Sequence, residues 1–162
     1  MRGVLAAAIL GLGLVQANAE TLKVGLVLPP QDAPEAVLRQ FRDGIDLALN
    51  KSGRKLGGRD IELVPMPAGD ASTEAQRIEA FAKQEKPQVI ILASPEVRNN
   101  VLLKGLSDAG TIVLAPTFGP ADLAGKRCLA NVFVSGGQSD QVLDTIGAYV
   151  DGANFKRLMV VH

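Results

Sequence analysis

Short β-branched runs alternate with longer amphipathic segments along this chain, and that alternation restricts the fold more than any other feature. Leu22–Leu28 (LKVGLVL) is a compact apolar run closed by Pro29-Pro30. Glu35–Asn50 then places Leu38, Phe41, Ile45 and Leu49 at helical spacing, so one face of a helix turns toward a core. Gly57-Gly58 turns the chain into a second strand, Asp60–Met66. Asp70-Ala71-Ser72-Thr73 supplies an N-cap for a helix with Ile78 and Phe81 inward. Val89–Ala93 (VIILA) has the unbroken apolar character of a centre strand covered on both faces. A helix from Glu96 to Asp108, a strand Thr111–Ala115, a short strand Val132–Val134, a helix Asp140–Asp151 and a last strand Arg157–Val161 complete the series. Strand and helix in this rhythm mean right-handed βαβ units, hence an α/β fold with a doubly wound parallel sheet. The final strand has no helix after it, so the chain reads as the N-terminal portion of a longer protein.

The first nineteen residues stand apart from this pattern. Arg2 precedes an apolar run, Val4 to Val15, and Ala17-Asn18-Ala19 has the small-residue form of an export cleavage site. The run is shorter than the roughly 20 apolar residues needed to span a bilayer. Residues 1–19 are therefore read as a signal peptide and Glu20 as the first mature residue. Without a Cys at that position the protein is not lipid-anchored, and its destination is a periplasm.

Charge and composition exclude several functions. Basic and acidic residues balance at 17 each, which leaves no cationic surface for nucleic acid. The only cysteine is Cys128, so no internal disulfide forms. The only histidine is the terminal His162, a poor foundation for a metal site or a Ser-His-Asp triad. Pro29-Pro30 occupies the position where a dinucleotide loop needs glycines, and no P-loop, G-x-S-x-G or H-E-x-x-H occurs. No cofactor, metal or catalytic constellation is expected, and an enzyme is the least favoured class.

Open parallel sheets bind ligands at the carboxyl ends of their strands. Three loops lie there: Pro29-Pro30-Gln31-Asp32, then Ser94-Pro95-Glu96-Val97-Arg98, then Pro116-Thr117-Phe118-Gly119. The second and third combine a hydroxyl, helix-start N–H groups and small residues, equipment suited to a carboxylate. Each residue also has a plainer reading: Ser94 as an N-cap, Glu96 as a first-turn acid, Arg98 as a solvated surface charge.

Four stretches in order, LKVGLVLP, FRDGIDLALNKSGRKLGGRDIELV, GTIVLAPTFGPADLAGKRCLANVF and DTIGAYVDGANFKRLMVV, resemble the N-terminal lobe of the type I periplasmic substrate-binding proteins, in the branched-chain amino acid binding group that feeds ABC importers. The resemblance covers residues 20–162. It implies two α/β lobes with a small solute between them, and partners in the permease subunits at the inner membrane. On that frame residues 20–156 form the first lobe and 157–162 begin the second. The ligand residues it implies are Ser94, Pro95, Glu96, Arg98, Thr117, Phe118 and Gly119. Two positions depart from the amino-acid binders: Pro95-Glu96 replaces a Ser-Ser pair, and Gly119 replaces a hydroxyl residue. NNVLLKGL, GPADLAGKRC and SGRKLGG look more like the members that take benzoate or cinnamate derivatives, and Phe118 and Arg98 suit a planar acid. A ligand-sensing protein of the same fold is the alternative.

Overall fold

The computed structural model describes residues 20–30, 33–155 and 157–159. The expected signal peptide, Gln31, Asp32 and the last three residues lie outside the described residues.

The described chain opens with β1 (Leu22–Val27), followed by α1 (Glu35–Lys51). A two-residue strand, β2 (Lys55–Leu56), turns back antiparallel onto β3 (Arg59–Pro65). Then come α2 (Glu74–Glu85), β4 (Val89–Leu92), α3 (Asn100–Asp108), β5 (Ile112–Ala115), β6 (Val132–Val134) and α4 (Ser139–Gly152). The sheet order is β2-β3-β1-β4-β5-β6, and every pairing except β2 with β3 is parallel. The doubly wound α/β sheet anticipated from periodicity is thus the observed architecture.

Chain direction across the sheet sets the layers. The step from β1 to β3 runs one way and the steps through β4, β5 and β6 run the other, so right-handed crossovers put α1 on one face and α2 with α3 on the opposite one. The α2/α3 face holds the tight core, in which Ile78, Ile90, Leu92, Leu103 and Val113 are fully buried. Gly25 is needed there: a Cβ on it would lie 2.7 Å from the Phe81 ring, which packs directly on the β1 backbone. The α1 face is covered unevenly. Its register row runs Leu26, Ile91, Leu114, Phe133, and exposure climbs from 5% at Leu26 to 54% at Phe133 with distance from α1. β4 is therefore covered fully on one face and partly on the other, not on both as its composition implied.

Four other expectations are corrected. The helix expected over Glu96–Asp108 is divided into a 3-10 turn, Pro95–Arg98, and α3. Asn99 separates them in extended conformation, and its side chain caps α3 by accepting from the Leu102 N–H. Asp70 caps the short 3-10 turn Ala71–Thr73, accepting from Ser72 N–H at 2.8 Å, while α2 starts later at Glu74. The hairpin strand β2 was missing from the sequence reading because Lys55 and Leu56 are both exposed and carry no apolar alternation. Residues 157–159 carry no strand, and Val160 and Val161 lie outside the described residues. α4 forms as expected but buries none of its residues.

Candidate functional site at the carboxyl edge of the sheet

Parallel register brings the candidate loops level. β4 and β5 pair Val89 with Ile112 and Ile91 with Leu114, and Ser94 and Thr117 each lie two residues past the end of their strand at the same edge. The β5–β6 offset sets Thr117 beside Gly136, where a bond from Gly136 N–H to Thr117 O at 3.2 Å forms. Pro29 lies two residues past the end of β1 at the same edge. One edge therefore collects residues far apart in sequence, as an open parallel sheet requires.

Ser94 is only 1% exposed. Its hydroxyl accepts from Glu96 N–H at 3.1 Å and donates to Glu74 Oε2 at 2.8 Å. It is thus the N-cap of the 3-10 turn, the plainer of its two sequence readings, with its proton already committed. Glu96 Oε2 accepts from Asn99 Nδ2 at 2.9 Å, so the turn and the start of α3 are tied side chain to side chain. Val97 drops into the core, whereas Pro95 and Arg98 are exposed.

On the β5 loop, Thr117 Oγ1 is enclosed and has no hydrogen-bond partner among the described residues. A buried hydroxyl left in that state costs about 1–3 kcal/mol. Beside it Phe118 is 54% exposed. Gly119 is buried and its backbone is spent: its N–H donates to Gly137 O at 3.0 Å and its carbonyl accepts from Ser139 N–H and Ser139 Oγ, both at 2.9 Å. It serves as a zipper between the 117–119 and 136–139 loops. Asp122 and Arg127 pair across the following segment and hold it as a closed loop.

Two hollows flank the row. One of about 560 Å³ lies over the ends of β1 and β3, bordered by Pro29, Pro30, Met66, Arg42, Glu74 and Arg77. Its loop is stiffened by Arg77, whose guanidinium donates to Asp70 O at 3.1 Å and Pro67 O at 2.5 Å. The Asp70 carboxyl is held below its ordinary value by the Ser72 hydrogen bonds and, secondarily, by Arg77. The other hollow, about 310 Å³, is bordered by Gly119, Phe133 and Gln138. A third of about 590 Å³ opens between α2 and α3 near Pro87 and Thr111, at the opposite edge and away from the candidate loops.

Glu74 was not anticipated. An acid in a first helical turn is ordinary, and nothing local marks one that becomes 6% exposed. Gly136-Gly137 was also overlooked, although paired glycines after a strand signal close backbone approach. Among the described residues no group of three His, Cys, Asp or Glu forms a metal site, and no helix is long and apolar enough to cross a membrane.

A family model described as "periplasmic binding protein" matches residues 21–162. Among solved structures, a solute-binding protein of an ABC transporter from R. palustris in complex with benzoate is 25% identical, with a TM-score of 0.66 over 84% of this chain and 38% of its own. Another from R. palustris, in complex with 4-hydroxybenzoate, is 19% identical, TM-score 0.61, over 82% and 37%. A periplasmic binding protein from Burkholderia mallei is 13% identical, TM-score 0.68, over 84% and 37%. The last two likenesses concern the fold. The chain thus spans well under half the length of these structures, and no curated protein matches it.

Proposed function

The chain belongs to the periplasmic binding protein family, and from that premise we propose that it forms the N-terminal lobe of a solute-capture protein serving an ABC importer. Its ligand is a small carboxylate-bearing solute of the aromatic-acid class, held at the carboxyl edge of the sheet against a second lobe supplied by the remainder of the protein. Binding, not turnover, is its task. The observation that carries the reading is the enclosed Thr117 hydroxyl, positioned beside exposed Phe118 and lacking a protein partner among the described residues. A ligand oxygen would satisfy it while the ring stacks on Phe118 and the carboxylate pairs with Arg98. The 25% identical structure that holds benzoate supports this solute class over amino acids.

The remaining assignments follow from that pose. Pro95 and Glu96 shape the turn that presents Arg98, Ser94 anchors it, and Gly119 fixes the Thr117 loop. Residues 1–19 direct export and are removed before Glu20, which N-terminal sequencing of the exported protein checks. The division into lobes follows the same frame, with residues 20–156 in the first lobe.

Isothermal titration of the protein encoded by the whole reading frame, against benzoate and leucine, tests the function. Micromolar binding of benzoate, equivalent to about 8 kcal/mol, is expected, with leucine far weaker. Leucine binding without benzoate binding would sink the aromatic-acid reading.

A further inference from the structure

We infer that Glu74 is a positioning residue for the ligand site, acting through Ser94 on the turn Pro95–Arg98; the inference rests on the reading of that turn given above. Glu74 is the first residue of α2, and its carboxylate reaches past the end of β4 to Ser94. Both members of the Glu74–Ser94 contact are buried, at 6% and 1% exposure, and the bond between them is 2.8 Å.

The chemistry of the two groups makes the contact directional. A carboxylate offers only acceptors, so the Ser94 proton points at Glu74. The hydroxyl lone pairs are then turned toward the Glu96 N–H, which occupies one of them at 3.1 Å. That bond starts the 3-10 turn, Glu96 Oε2 holds Asn99 Nδ2, and Asn99 Oδ1 caps α3. Glu74 thus stands at the head of a continuous series of hydrogen bonds that fixes where Glu96 and Arg98 emerge. It also borders the hollow over β1 and β3, so one carboxylate joins the two sides of the candidate site. A purely stabilising role does not require such an arrangement, because burying a carboxylate at the sheet edge is costly and an apolar residue would pack there without that cost.

The test compares Glu74→Ala, Glu74→Gln, Ser94→Ala and the Glu74→Ala/Ser94→Ala double variant in the whole protein. Amide exchange is read at Glu96, Val97 and Asn99, with Leu103 and Val113 as reporters of global stability, and benzoate is the titrant. Glu74→Ala and Ser94→Ala should each lower turn protection and benzoate affinity about tenfold, the outcome of leaving one buried polar partner unmet. The double variant should be no worse than either, because both remove the same contact. Glu74→Gln, whose amide oxygen still accepts from Ser94, should recover most of both losses. Turn protection unchanged in Glu74→Ala, or lost only in step with Leu103 and Val113, would overturn the inference. If Glu74→Ala does not fold, the Ser94→Ala and Glu74→Gln comparison decides on the same readouts. Absence of benzoate binding in the unaltered protein, together with selective loss of turn protection in Glu74→Ala, would reject the solute class and leave the positioning role standing.

Discussion

Gly136 lies so close to Thr117 that a Cβ built on it would stand 2.3 Å from the Thr117 carbonyl oxygen. No side chain fits there, and the obstacle is backbone, which cannot swing aside. The loop after β6 thereby sets the height of the loop after β5, and with it the Thr117 hydroxyl. Gly136→Ala should destabilise the folded protein by about 1–3 kcal/mol, as overpacking typically does. It should also weaken benzoate binding more than the stability loss alone accounts for. Urea unfolding followed by titration checks both, and an unaltered midpoint would show that the two loops separate freely.

Thr117→Val separates a structural hydroxyl from one kept for ligand. The hydroxyl is enclosed and unmet among the described residues, so its replacement by a methyl should leave the ligand-free protein as stable or slightly more so. Benzoate affinity should nonetheless fall about tenfold, the worth of one lost hydrogen bond of roughly 1.4 kcal/mol. Loss of stability in the ligand-free state would mean that the hydroxyl already has a partner.

Leu103→Ala probes the core under α3. Leu103 is fully buried among Ile90, Leu92 and Val113, and truncation should cost about 2–5 kcal/mol. Circular dichroism during denaturation measures it. An effect under 1 kcal/mol would show that this face of the sheet is loosely packed.

Asp70 provides the pH-dependent element. Its carboxyl lies below the ordinary 3.8 because the Ser72 hydrogen bonds favour the charged form. A depressed folded value means the contribution is present above the unfolded value and is lost as pH falls through the folded one. Acidification from pH 4 downward should therefore loosen the 67–73 loop, and Asp70→Asn, which lacks the charge at every pH, should show the looser loop already at neutral pH and no further change on acidification. Amide exchange or chemical-shift titration of Ser72 follows the transition. Identical acid profiles for both proteins would discount the cap.

Apolar periodicity was enough to place most of the sheet and helices, because a strand such as Val89–Leu92 or a helix face such as Leu38, Phe41, Ile45 and Leu49 is recorded in neighbouring positions. The same local logic placed the loops at the carboxyl edge and named Ser94 and Thr117 within them. It offered Ser94 as an N-cap but could not name the partner of its proton. The Ser94 proton is taken by Glu74, twenty positions away, and the Gly119 backbone groups by Gly137 and Ser139. Such bonds form only when parallel strands bring separate loops level, and no period in the chain encodes them. The break at Asn99 was hidden for a related reason: one side chain capping α3 outweighs the helical spacing that runs across it. Sequence determined which segments form strands and helices and that the sheet is parallel and doubly wound. The tertiary structure alone decided which polar groups on the carboxyl edge are already spent and which, like the Thr117 hydroxyl, still need a partner, because hydrogen-bond satisfaction depends on distances between residues remote in the chain.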